Sequence, residues 1–212
     1  MNINSVFDEH ALEYDSWYDD NREIYQSEML ALKQVVPIGK KGLEVGAGTA
    51  RFASLLGVEV GIDPSEAMAS IARGRGVKVK KGVAENLPFD DGSFDFVMFI
   101  TAICFLDSVF QAFKEAHRVL NENGAIIIGM IDKNSDMGRK YEKMKVSDKF
   151  YKDAHFHGVE EIVDLLKRAN FRDFTFYQTL MIPEAKKIEE PQVGYGKGGF
   201  VVIKAIKMER IE

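Results

Sequence analysis

From Gly42 onward, short apolar runs alternate with amphipathic segments, and no other feature of the chain narrows its fold as much. GLEV, VEVGID, VKVKKG, FDFVMFI and AIIIGMI are short and rich in Val, Ile and Phe, as strands are. Between them lie TARFASLLG, PSEAMASIARG and DSVFQAFKEAHRVLNENG, with helical spacing of their apolar residues. Pro64 suits a first helical turn and Gly124 a stop. Strand then helix, repeated, argues for a parallel sheet covered on both faces. VEEIVDLLKRANF adds a helix with Ile162, Leu165, Leu166 and Ala169 on one face. FRDFTFYQTL and GGFVVIKAIK then break the rhythm. They are two strands joined by a polar loop without a helix, so they are expected to pair antiparallel.

Behind the first strand, GLEVGAGTARFA (Gly42 to Ala53) packs Gly46, Ala47 and Gly48 into a turn whose backbone a ligand can approach closely. The dinucleotide fingerprint G-x-G-x-x-G has Arg51 in its third glycine position here, and no Gly-Lys-Ser/Thr follows to make a phosphate loop. Glu44 stands two residues ahead of the first glycine instead, a poor neighbour for phosphate and a good one for a cation. Nineteen residues further on, Asp63 ends the second strand, where a carboxylate can accept from both hydroxyls of a ribose. The pair implies a nucleoside with a cationic tail. S-adenosylmethionine has that constitution, and its carboxylate could face a helix N-terminus at Thr49.

LEVGAGTARFA, VGIDPSEAM, VAENLPFDDGSFDFVMFITAICFLD and EAHRVLNENGAIIIG, in that order, resemble the motifs of class I S-adenosylmethionine-dependent methyltransferases, closest to the small-molecule branch that includes quinone-biosynthesis enzymes. The likeness covers residues 41–131, with a looser match through VEEIVDLLKRANF. It implies an α/β, Rossmann-like fold: a seven-stranded, mostly parallel sheet with an antiparallel last strand and helices on both faces. By position, it implies Gly46, Ala47 and Gly48 under the methionine tail with Glu44 below, Asp63 at the ribose, and Pro64 and Met68 near the adenine. Ala84 and Glu85 would lie along the adenine edge, and Ile100 and Thr101 beside the cofactor. Three departures stand out. Ala50 replaces the usual third glycine, the span from Gly48 to Asp63 predicts a short first helix, and Val83 stands where many relatives carry an adenine-binding aspartate.

The 212 residues suit one domain, and 46% hydrophobic with 29% charged residues is an ordinary globular balance. That domain divides into an N-terminal helical segment (1–36), a cofactor core (41–131), a polar insert (132–157) and a C-terminal helix with its strand pair (158–212). The net charge of −5 offers little for nucleic acid. The single cysteine, Cys104, and an acidic N-terminus lead us to expect a cytoplasmic protein without a membrane anchor. Tyr14, Trp17 and Tyr18 read either as helix packing or as a lid, since rings also attract a sulfonium. The expected partner is a small-molecule acceptor of methyl on nitrogen, oxygen or carbon. FITA stands where amino-methylating enzymes of nucleic acid and protein carry Asn/Asp-Pro-Pro-aromatic. No catalytic residue is fixed by the sequence; His155 and Tyr14 are the candidates for a base. No metal is expected, because Asp132 and Asn134 lack an acid at the end of the fourth strand. A non-catalytic cofactor-binding module and an NAD-dependent oxidoreductase are the alternatives.

Overall fold

A computed structural model describes residues 3–182, 184 and 186–208. Met1 and Asn2 of the 1–36 segment, and residues 209–212 of the 158–212 unit, lie outside the described residues. Five parallel strands lead the sheet: β1 (Gly42–Val45), β2 (Val60–Asp63), β3 (Lys78–Lys81), β4 (Phe94–Ile100) and β5 (Leu120–Ile131). With β6 (Phe171–Thr179), β7 (Gln192–Val193) and β8 (Phe200–Lys207), the order is β3-β2-β1-β4-β5-β8-β6-β7. The FRDFTFYQTL and GGFVVIKAIK segments do pair antiparallel, and β8 slots between β5 and β6, antiparallel to both. The eighth strand beyond the seven expected is β7, a two-residue pairing on the sheet edge.

The helices are α1 (Ile3–Glu9), α2 (Ala11–Asp20), α3 (Arg22–Lys33), α4 (Arg51–Leu56), α5 (Glu66–Gly74), α6 (Val109–Val119), α7 (Asp136–Met144) and α8 (Val159–Arg168). Single 3-10 turns cover Ile103–Phe105 and Lys145–Ser147. Strand periodicity sorts side chains onto two buried faces. Phe96 and Met98 of β4 and Ile127 of β5 face a core shared with Leu32, Phe52, Ala69 and Ala72 of α3, α4 and α5. Val97, Phe99, Ile126 and Ile128 face the opposite core, with Phe113 of α6 and Ile162 and Leu166 of α8. Burial on both sides is why these strands read as unbroken apolar runs.

Boundaries shift where capping chemistry overrules the expected ends. Pro64 precedes α5, and Ser65 is the N-cap, its hydroxyl accepting from the Met68 N–H at 3.2 Å. Helix α6 stops at Val119, because Leu120 turns extended and begins β5 before Gly124 is reached. The short first helix is seen: α4 has six residues. Among the described residues no helix is long and apolar enough to cross a membrane.

Candidate active site

The glycine turn folds back on β2, with Gly46 N–H and Ala47 N–H both donating to the Ile62 carbonyl at 2.9 and 3.0 Å. Gly46 and Gly48 have φ of 69° and 52°, the left-handed region that an L side chain adopts at a cost. The space a side chain on Gly48 would occupy holds no atom within 4 Å, so this flank of the turn is open to a ligand. Ala50 is also left-handed, at φ 58°, as the N-cap of α4. Its methyl is fully buried, and that burial offsets the backbone cost at about 0.8 kcal/mol, which is how alanine stands in for the third glycine.

Two buried acids brace this turn. Asp63 accepts from Gly48 N–H at 2.8 Å on one oxygen and from Ser65 N–H at 2.9 Å on the other. Each oxygen keeps a lone pair for a further donor. Burial pushes its carboxyl up to about 6 against those two backbone bonds. Glu44 accepts from Ala53 N–H at 3.1 Å, so its direct contact is with α4, and burial pushes it up to about 8. These residues fit a nucleoside with a cationic tail: an open glycine flank, acceptors to spare at the strand end, and no phosphate cradle.

A third acid ties the N-terminal helices to the turn. Asp15 of α2 accepts from Thr49 Oγ1 at 2.5 Å, from Arg51 Nε and Nη2 at 3.0 and 2.7 Å, and from Arg75 Nη2 at 2.7 Å. Arg51 also reaches Asp19, and Arg75 donates to the Thr49 carbonyl. Arg51, which displaces the third glycine of the dinucleotide pattern, is thus the anchor of α2. Nearby, Asp8 of α1 accepts from Ser65 Oγ at 2.6 Å, over the N-terminus of α5.

At the end of β4, Thr101 has φ 50°, an outlier for a β-branched residue. Its N–H donates to the Gly129 carbonyl and its hydroxyl to the Ile100 carbonyl, both at 2.8 Å. Thr101 lines a cavity of about 540 Å³ that α2, α3, α7 and residues 148–151 enclose, the N-terminal and insert segments contributing together. Tyr14, Trp17, Tyr18, Tyr141 and Tyr151 line its wall, and Glu28 of α3 faces it.

Residues 43–128 match the family model of the methyltransferase domain. The chain is 46% identical to an SAM-dependent methyltransferase, possible histamine N-methyltransferase, from Thermotoga maritima, with 96% of this chain and 99% of that one covered and a TM-score of 0.93. This chain belongs to the class I S-adenosylmethionine-dependent methyltransferases. It is also 45% identical to an uncharacterized protein of Methanocaldococcus jannaschii, over 96% of this chain and all of that one. The quinone-biosynthesis relatives are more distant. The demethylmenaquinone methyltransferase of Staphylococcus epidermidis is 28% identical over 59% of this chain and 58% of its own.

In this methyltransferase the remaining residues assigned by resemblance fall as follows. Pro64 is half-buried beside Asp63, Ala84 is buried, and Ile100 is buried at the end of β4. Met68 is packed away at 2% exposure. Glu85 accepts from Ser108 N–H at 3.0 Å and so caps α6, and Val83 is exposed. His155 is exposed and does not line the cavity, whereas Tyr14 does. Burial pushes the Tyr14 phenol up to about 12, so it stays protonated well above neutral pH. Burial pushes the Cys104 thiol up to about 12 as well, which suits an inert side chain.

Two groups escaped the sequence reading. Glu28 lies on the apolar stripe of α3, one turn after Ile24 and one before Leu32; a carboxylate at such a position is the signal that could have found it. The Asp15 knot joins residues up to 60 positions apart, and no local pattern announces it.

Proposed function

We propose that this methyltransferase moves a methyl group to the nitrogen, oxygen or carbon of a small-molecule acceptor by in-line displacement. The observation that carries this reading is the aromatic cavity of about 540 Å³ bordered by Thr101, a volume suited to a small ligand. When bound, S-adenosylmethionine supplies an electrophilic methyl on a sulfonium that leaves readily. Asp63 would accept from the ribose hydroxyls with its spare lone pairs, and the open flank of Gly48 would admit the tail. Tyr14, Trp17 and Tyr18 would exclude water and align the acceptor, which is where the rate gain arises. The acidic balance supports an acceptor other than nucleic acid, and the reduced, buried Cys104 suits a cytoplasmic setting.

S-adenosylhomocysteine at about one hundred times its Kd should raise the melting temperature by roughly 5–10 °C, from about 2.7 kcal/mol of linkage, while NAD leaves it unchanged. Stabilisation by NAD alone would overturn the cofactor assignment in this chain. Methyl transfer from the radiolabelled cofactor to a panel of amines, phenols and acidic carbons then separates an enzyme from a binding module.

Helices α1 to α3 read as the lid of this site. Hydrogen exchange of amides 11–33 should slow when S-adenosylhomocysteine binds, as expected if a mobile cover is ordered by the ligand. Exchange that ignores the ligand would leave these helices as fixed packing.

A further inference from the structure

The cavity wall holds one feature that packing does not explain. Glu28 is 4% exposed, yet among the described residues nothing donates a hydrogen bond to its carboxylate. A buried acid without a partner is costly, and proteins normally pair it or leave it out. No buried side-chain oxygen or nitrogen among the described residues is both sealed and unpartnered, so the Glu28 carboxylate touches the cavity space rather than solid protein. Burial holds this carboxyl up at about 8.

The surroundings select the sign of the missing partner. Tyr14, Trp17, Tyr18, Tyr141 and Tyr151 share the cavity with Glu28, and aromatic faces attract cations. Lys140 and Lys145 also border it, but Lys140 is paired with Glu184 at 3.3 Å and Lys145 with Glu142 at 2.9 Å. Neither is left over to hold an anionic acceptor. A carboxylate walled by aromatic rings suits an ammonium group that donates to the acid and lies against the rings.

We propose that the acceptor of this enzyme is a small amine, held by the Glu28 carboxylate inside the aromatic cavity and methylated on nitrogen. This deepens the methyl-transfer reading and rests on it. The step balances simply. The bound ammonium first passes a proton to the Glu28 carboxylate, which frees the nitrogen lone pair. That pair forms the new N–C bond, the S–C bond breaks with its pair remaining on sulfur, and the product is the N-methylammonium beside a neutral Glu28. Acceptance of a proton suits an acid whose desolvation already favours its neutral form.

The experiment is calorimetric titration of the full chain, with and without S-adenosylhomocysteine, using phenethylamine against 2-phenylethanol and n-hexylamine against n-hexanol. At least one amine should bind about tenfold or more tightly than its alcohol, the scale of a charge-assisted hydrogen bond. Glu28→Gln should abolish that preference while S-adenosylhomocysteine binds as in the parent, and the parent should turn the preferred amine into its N-methyl product. Amines that bind no better than their alcohols would overturn the proposal with no variant needed, and so would a preference that survives in a folded Glu28→Gln protein. Failure of S-adenosylhomocysteine to bind the parent chain defeats the methyl-transfer reading instead, and the amine preference reports separately on the cavity.

Discussion

Replacing Asp15 with alanine is expected to cost about 3 kcal/mol of stability, the loss incurred when one member of a largely buried ion network is deleted. Its side chain is 13% exposed, and three residues donate to it. Removal leaves Arg75 with only the Thr49 carbonyl and leaves Asp19, whose side chain is 67% exposed, as the carboxylate partner of Arg51. In a chain of this size the melting temperature should fall by roughly 6–12 °C. Partial burial would raise the Asp15 pKa, but the bonds from Arg51, Arg75 and Thr49 win and hold the carboxyl well below its ordinary 3.8. A depressed acid contributes its stability above the unfolded value, and that contribution fades as pH drops from about 3.8 through the folded value. The parent should therefore lose stability in that acid range, and Asp15→Ala should show a flatter acid limb in urea melts between pH 5 and 2. Equal slopes for the two proteins would mean that the knot is not carrying the N-terminal helices.

Asp63→Ala should lose about 30-fold or more in affinity for S-adenosylhomocysteine, from roughly 2 kcal/mol of charged hydrogen bonding at the ribose. The fold suffers too. Gly48 N–H and Ser65 N–H both lose their acceptor, and an unsatisfied buried donor costs about 1–3 kcal/mol. The affinity loss and the fold loss need separation, so calorimetry is run well below the melting temperature of the variant, with circular dichroism confirming the folded state. Unchanged affinity in a folded variant would put the ribose elsewhere. Because burial raises the Asp63 carboxyl to about 6, the folded state holds a proton that the unfolded chain has released between about pH 4 and 6. Charging Asp63 thus removes stability as pH rises through that window, and Asp63→Ala escapes this loss.

The alternation of strands and helices was legible because both faces of the central sheet are buried, which writes β4 and β5 as continuous apolar runs. The antiparallel pair was legible because no helix fits between β6 and β8. The position of β8 between β5 and β6 was not legible, because local pattern contains nothing that ranks strands in space. At the site, Gly46, Gly48 and Asp63 announce themselves through backbone geometry and strand-end placement. Glu28 did not, since one acid in REIYQSEMLALK looks like surface charge until the tertiary fold turns that face inward. Arg51 was read for what it prevents; its contacts with Asp15 and Asp19 belong to tertiary structure that spacing cannot convey.

The central place of β8 has a consequence for how the molecule is made. Ile203 lies between Ile128 of β5 and Phe176 of β6, so among the described residues the two halves of the sheet meet only through residues 200–207. A ribosome adding about 5–20 residues per second needs roughly 3–14 s to go from Ile131 to Phe200. Throughout that interval the free edge of β5, with Ile126, Ile127 and Ile128 in a row, has no native neighbour on its far side. An open, apolar strand edge is the surface on which chains pair with one another. The nascent protein therefore passes through its most adhesive state late in synthesis, with its glycine turn and Asp63 already translated and its sheet still in two pieces.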